Sequence, residues 1–156
     1  MAKYGVSFGG FATTTSILTA LKLVSTTKFP WEVVELGMYG SGSVAPADIQ
    51  HEATACFVSA AGAGTGTASP PTPEPMSKSS PAASSTILWK MTAEPTTYAT
   101  VFPVLFSFNS RGGMRWAVPQ GEGLADTFEQ TQMHLGWRVR SSAVGTVDGM
   151  MNFWER

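Results

Sequence analysis

Charged side chains are scarce in this sequence. Asp, Glu, Lys and Arg make up 13% of its 156 residues, about half of the roughly 25% that soluble domains usually carry. Ten basic and eleven acidic residues leave a net charge of −1, so no excess of positive charge is available to bind nucleic acid directly. Because so little charge is left to coat a free surface, we expect part of that surface to be buried in an assembly.

Long apolar runs and cysteines are also lacking. The strongest apolar run, 101–108, is far shorter than the roughly 20 residues of a membrane helix, and Pro103 interrupts it. We therefore expect no membrane partner. The single cysteine, Cys56, excludes an internal disulfide and a cysteine-rich zinc site.

Residues that carry catalysis or bind cofactors are few. The only histidines are His51 and His134, and Glu52 follows His51 directly, so in a strand their side chains point to opposite faces. The glycine-rich run 62–66 lacks the Lys-Ser/Thr ending of a phosphate-binding loop. Cys56 lies in an apolar strand pattern, which is typical of an inert buried thiol. The sequence predicts no enzyme, no catalytic residue, no cofactor and no metal site.

Short β-branched and aromatic runs separated by Gly, Pro, Asn and Ser recur along the chain, and helical periodicity is hard to find. Nine strands are predicted, at 4–8, 16–24, 31–39, 52–59, 86–92, 99–108, 115–118, 133–140 and 146–154. This number is close to the eight of a jelly roll. We therefore expect one all-β domain over 1–156, a jelly-roll-like antiparallel sandwich of about eight strands.

The last strand carries large apolar groups on both faces. Alternation places Val147, Gly149, Met151 and Phe153 on one face and Asp148, Met150, Asn152 and Trp154 on the other. We expect the core to cover one face and a partner chain the other. The predicted interface residues on this strand are Met150, Phe153 and Trp154.

Five tryptophans raise the alternative of a sugar-stacking platform. Trp89 alternates with Ile87 and Met91, and Trp137 with Leu135 and Val139, which favours the core for both. The pattern leaves three positions open between core, interface and ligand platform: Trp31, Trp116 and Trp154.

The segment 60–84 has no hydrophobic period and is rich in Ala, Gly, Ser, Thr and Pro. Loops of this length are uncommon inside compact domains. It is either a surface loop or an arm that lies extended on a neighbouring subunit, since its prolines favour polyproline II and lower the entropy lost on docking. The predicted contact residues of this arm are Pro70, Pro71, Pro73, Pro75 and Met76.

Several motifs occur in a characteristic order, from 44–48 with His51, through 64–70, 92–96 and 109–112, to 115–123, the strand containing Gly136, and 153–155. From about residue 29 onward, this set resembles the capsid cement or decoration proteins of bacteriophages. The resemblance implies a homotrimer on the exterior of the virion that clamps the major capsid protein, after synthesis in the host cytoplasm. Residues 1–15 match nothing in this pattern and are interpreted as a possible N-terminal arm.

Arg111 follows the apolar strand in a hairpin-like turn. Its charge is available to pair with Glu94 or Glu122 within the chain, or with an acid of a neighbouring subunit. Two other functions stay open beside the cement protein. One is a carbohydrate- or receptor-binding sandwich of a phage fibre, and the other is a tail-tube or tail-terminator protein.

Overall fold

The computed structural model describes residues 1–24, 30–41, 48–59, 64–66, 70–96, 103–125 and 133–155. Regular structure within these residues is entirely β, so the all-β prediction is confirmed. In chain order the strands are β1 (Ala2–Thr13), β2 (Leu18–Val24), β3 (Trp31–Gly40), β4 (Gln50–Ser59), β5 (Glu74–Pro75), β6 (Thr86–Trp89), β7 (Val104–Asn109), β8 (Gly113–Ala117), β9 (Leu124–Ala125), β10 (Met133–Ser141) and β11 (Gly145–Glu155).

Two antiparallel sheets pack as a sandwich. Sheet A has the order β5-β1-β11-β3-β8, with β9 also pairing with β3, and sheet B has the order β6-β2-β10-β4-β7. Without the short strands β5, β6 and β9, the first strand pairs with the last, the second with the seventh, the third with the sixth and the fourth with the fifth. This nested pairing over two sheets is the jelly-roll arrangement.

The interpretation of residues 1–15 as an N-terminal arm is wrong. Residues 2–13 form β1, which pairs with β11 along almost its whole length and places Tyr4, Val6, Phe8 and Phe11 in the core. The strand predicted at 4–8 is the first half of β1, and its continuation to Thr13 is concealed because Gly9 and Gly10 interrupt the alternation.

A β-bulge interrupts β1 after Phe8. The register against β11 shifts between Phe8 and Phe11, and Gly10 takes a left-handed φ of 64°, which is accessible to glycine at little cost. The Gly10 N–H leaves the ladder and donates to Oδ1 of Asp148 at 2.7 Å. The bulge thus bends the strand while keeping its backbone donor paired.

The predicted alternation is confirmed in the strands where it is clearest. On β11, residues Val147, Gly149, Met151 and Phe153 are buried, while the intervening ones are half-buried. The run predicted for 86–92 ends earlier, at Trp89, because Lys90 adopts a positive φ of 46°. The run predicted for 99–108 is β7 from Val104 onward, and 99–102 lie outside the described residues.

We predict that Gly149→Ala destabilises the fold. A Cβ at this position would lie 2.4 Å from Cζ of Phe8, and the Phe8 ring is itself buried against Trp89. Overpacking of this kind costs about 1–3 kcal/mol of unfolding free energy. Urea denaturation should show this loss, whereas the control Gly112→Ala, whose nearest neighbour is 3.8 Å away, should change little. Equal midpoints for the two variants would contradict the prediction.

Candidate interaction surfaces

The outer face of sheet A is formed by the side chains that β1, β11, β3 and β8 turn away from the core. Cross-strand register aligns its residues in rows. Its members include Tyr39, Arg115, Met150, Asn152 and Trp154, with Glu35 between them. Aromatic residues, methionine and arginine are the types enriched in protein interfaces.

Tyr39 lies flat across this face because two glycines leave room for its ring. A Cβ at Gly113 would lie within 2.2 Å of Cδ1 of Tyr39, and a Cβ at Gly37 would lie 3.0 Å from the tyrosine hydroxyl and 3.1 Å from Cγ of Met150. The ring and the methionine therefore cover bare backbone side by side. Tyr39 keeps 38% of its surface exposed, so the patch presents an aromatic plane to solvent.

Glu35 organises the polar centre of the same face. Its Oε1 accepts a hydrogen bond from Nε of Arg115 at 2.6 Å, and its Oε2 accepts one from Nδ2 of Asn152 at 2.8 Å. Burial alone would raise the pKa of the Glu35 carboxyl, but the two hydrogen bonds and the Arg115 charge outweigh burial and hold the pKa below its ordinary value. The carboxylate thus fixes two neighbouring side chains on this surface.

Residues 70–85, which we call the strap, lie along the free edge of β1. Glu74 and Pro75 pair with Gly5 and Tyr4 as the two-residue strand β5, and the N–H of Met76 donates to the carbonyl of Lys3 at 2.9 Å. Pro73 and Pro75 have no N–H to donate to this pairing. The strap is thus bound to an edge strand by few hydrogen bonds.

The C-terminal half of the strap is fastened by two side chains of sheet A. The Tyr4 hydroxyl donates to the carbonyl of Pro81 at 3.1 Å. Burial, together with the nearby Glu155 carboxylate, raises the pKa of Tyr4, so the hydroxyl keeps its proton. Glu155 accepts hydrogen bonds from the N–H groups of Ser84 at 3.0 Å and Ser85 at 2.5 Å.

The nine predicted interface residues do not form one surface. Pro70 is exposed, Pro71 and Pro75 are half-buried, Pro73 is buried, and Met76 is 59% exposed. In the single chain the segment that contains these residues pairs with strand β1 of the same domain. The docking of this segment on a neighbouring subunit stays a prediction.

Phe153 and Arg111 correct the sequence interpretation. Phe153 is fully buried and stacks on Tyr4 at 5.6 Å between ring centroids, so its assignment to an interface is wrong. Met150 and Trp154 do lie on the outer face. Arg111 pairs with Asp48 at 3.0 Å rather than with Glu94 or Glu122, because the β7–β8 turn brings it to the start of β4.

His51 illustrates why the polar groups of the interior do not form an obvious catalytic site. Its Nδ1 lies 2.6 Å from Oγ of Ser141, its ring stacks on Phe108, and burial lowers its pKa. A nucleophilic serine also needs access and a base that a third group orients. Both residues are buried, and Nε2 of His51 has no hydrogen-bond partner among the described residues.

Cys56 and His134 lie on the opposite face of sheet B from the core, and both are buried. Burial raises the pKa of the Cys56 thiol to about 11, which keeps it protonated and unreactive. As the sequence predicts, His51 and Glu52 point to opposite faces, and Glu52 pairs with Arg140 at 2.9 Å. Within the described part of the chain, no group of three His, Cys, Asp or Glu side chains is arranged to hold a metal ion.

The tryptophans give no support to a sugar-stacking platform. Trp31 and Trp137 are fully buried, and Trp89 and Trp116 pack against the core from its margin. Only Trp154 points outward from its sheet, between Lys3 and Glu32 in the cross-strand register. The five tryptophan side chains therefore do not form a row of rings on which a sugar could stack.

Sequence reasoning missed the carboxylates that hold loops in place. Besides Glu155 and Glu35, the fully buried Glu32 accepts hydrogen bonds from the N–H groups of Gly121 and Gly123, and Glu94 accepts them from the backbone and hydroxyl of Thr19. These partners lie 70 or more residues apart along the chain, so no local pattern reveals them. Only the presence of an acid within an apolar strand, as at Glu32 and Glu35, is a visible signal.

The chain matches no protein-family model, and comparison with curated proteins and with solved structures finds no match. In the described residues, no helix has the length and apolar character needed to cross a membrane. The function must therefore be argued from the surfaces themselves.

We predict that Glu35 contributes to stability only above acidic pH. Because its folded pKa lies below the ordinary 4.5, its stabilisation is complete above that pH and is lost as the pH falls through the folded value. Glu35→Gln should therefore unfold at lower urea than the parent at pH 7, and the difference should shrink toward pH 3. The control Glu74→Gln alters an exposed carboxylate. A difference that stays constant from pH 7 to pH 3 would contradict this role.

We predict that Cys56 reacts with thiol reagents only after unfolding. The thiol is fully buried and its pKa is about 11, so neither access nor thiolate is provided in the folded chain. An aromatic disulfide reagent at pH 8 should label it slowly in buffer and at once in urea. A Val144→Cys variant, at a position 77% exposed, should label immediately. Rapid, complete labelling of native Cys56 would show the prediction to be wrong.

Proposed function

We propose that this chain is a virion structural protein, a cement or decoration protein that binds the outside of a phage head and stabilises contacts between major capsid subunits. It acts as a homotrimer and without catalysis. The outer face of sheet A is the observation that carries the proposal, because a flat tyrosine, a methionine and a tryptophan flank a fixed Glu35–Arg115 pair there.

The composition of this face supports a protein partner. Tyr, Trp and Arg dominate the binding energy of protein interfaces. The Arg115 side chain is 63% exposed, and its ion pair with Glu35 holds the guanidinium group in place. An interface with this mixture has an apolar part for affinity and an oriented ion pair for register. Jelly rolls also occur in viral capsid and lectin domains, although a fold alone does not determine function.

The physical action follows from linkage. A protein that binds the assembled lattice but not its separated subunits stabilises the lattice by mass action, and the gain increases with the concentration of free protein. The sandwich itself needs no moving part for this task. Rigid strands hold the contact residues at fixed spacing, which keeps the entropy cost of binding low.

Copy number in purified virions tests the setting. In virions that carry this chain, quantitative mass spectrometry should find hundreds of copies, and antibodies should label intact heads. A handful of copies at the tail would favour the tail-tube or tail-terminator alternative, labelling at fibre tips would favour the receptor-binding alternative, and absence from virions would overturn the proposal.

We predict that reversing the character of the outer face of sheet A abolishes assembly. Met150→Lys with Trp154→Lys should give a folded monomer where the parent is a trimer, because assembly would bury two ammonium groups without partners. The control Leu105→Lys changes a side chain that is 56% exposed on sheet B. It should leave the trimer and the occupancy on heads unchanged.

Light scattering gives the mass, and circular dichroism with thermal unfolding verifies that each variant is folded. A monomeric parent at micromolar concentration would reject the trimer. If the Leu105 variant instead loses occupancy while the double variant keeps it, the outer face of sheet A is not the contact surface.

A further inference from the structure

The strap has two kinds of contact with the rest of the chain. Glu155 holds the C-terminal end of the strap at Ser84 and Ser85, and before the strap begins Thr65 exchanges backbone hydrogen bonds with Ala93. The backbone of the middle, around β5, pairs with the edge of β1 at two positions, and the Met76 N–H donates one further hydrogen bond to Lys3. The middle is therefore the part that can move to another edge while both ends stay in place.

The edge of β1 from Lys3 to Gly5 is a built acceptor for this middle segment. It supplies the carbonyl of Lys3 to Met76, two ladder positions to Glu74 and Pro75, and the hydroxyl of Tyr4 to Pro81. Every one of these groups is present at the same edge of a second copy. The middle segment of one copy therefore finds the same hydrogen-bond partners on the β1 edge of the other copy.

We propose that the strap is exchanged between copies, so that residues 70–81 of one copy form β5 on the β1 edge of its neighbour. This inference rests on the proposed function in one respect, that copies of the chain assemble side by side. The partner is a second copy because the strap is the segment that this edge is seen to fit.

The length of the strap permits the exchange. The chain from Gly66 to Glu74, and again from Met76 to Ser84, spans at most about 26 Å when extended. A neighbouring edge within that distance can be reached without moving either end. Exchange of an identical element is a route to association with a low free-energy cost. The contacts of the folded state are kept, and only the copy that makes them changes.

Proline residues also lower the free-energy cost of the exchange. Pro71, Pro73 and Pro75 donate no hydrogen bond, so leaving the edge in one copy breaks few backbone pairs. The same residues restrict the free strap to extended conformations, which reduces the entropy lost when it docks again. On a capsid, neighbours are held at fixed distance, and a high effective concentration favours the exchanged form.

Engineered cysteines at Lys3 and Met76 test the exchange. These residues face each other where the Met76 N–H meets the Lys3 carbonyl. Lys3→Cys copies are mixed with Met76→Cys copies, co-assembled, oxidised mildly and separated on a non-reducing gel. A covalent dimer that contains one copy of each variant is the expected major product. Native Cys56 is buried and stays out of the reaction.

A matched control replaces the Lys3 variant by Val144→Cys, an exposed site in the β10–β11 turn. Mixed with Met76→Cys, it should give no dimer beyond the homodimer background of each single variant. The double variant Lys3→Cys with Met76→Cys should link between chains in the assembled state and within the chain after dilution to monomer.

The outcomes separate this inference from the proposed function. Interchain links in the purified oligomer support exchange whether or not the oligomer binds heads. If the double variant links only within chains in a trimer, or if the protein is monomeric at every concentration and links only within chains, exchange is rejected. The copy number in virions then decides the cement function independently.

Discussion

The pairing of the first strand with the last is the constraint on which the other features depend. Ala2 lies opposite Glu155 and Thr13 opposite Gly145, so two distant parts of the chain close sheet A. This pairing makes β11 an interior strand with one face in the core and the other outward. It also brings Tyr4 and Glu155 together, and these two side chains hold the strap. The outer face of sheet A and the strap site are both products of a single strand pair.

Four carboxylates of the chain hold distant segments together. Glu32, Glu94 and Glu155 each accept hydrogen bonds from backbone N–H groups of a distant segment, and Glu35 accepts them from two side chains. Substituting such a carboxylate lowers the free energy of unfolding strongly, because its loss leaves buried donors unpaired. A low overall charge is therefore compatible with a well-determined fold.

The sequence predicts the strands well, since alternation and turn residues are local signals. The burial alternation of β11 and the opposite faces of His51 and Glu52 follow directly from the period of two. The strand at 4–8 was predicted, but its continuation to Thr13 was missed, because Gly9 and Gly10 have no side chain to show a pattern. Alternation placed Phe153 on the face opposite Met150 and Trp154, so assigning all three side chains to one interface did not respect that same alternation.

Contacts between distant segments account for the rest of what was missed. The Arg111–Asp48 pair and the site for the strap depend on which strands become neighbours, and the order of strands is not encoded in any short window. The flat position of Tyr39 depends on glycines from two strands, Gly37 and Gly113. Such features become predictable only after the nested pairing of the jelly roll is known.

The bulge at Gly10 has a consequence for how far edge pairing can extend. A flat edge strand invites one chain after another to add on and grow a continuous fibre. In β1 the register changes after Phe8, and Asp148 holds the Gly10 N–H away from the ladder. A strand that pairs with Lys3–Gly5 therefore cannot continue in step past this point. The kink therefore limits the length over which an added strand can pair along this edge, and so opposes growth of a continuous sheet.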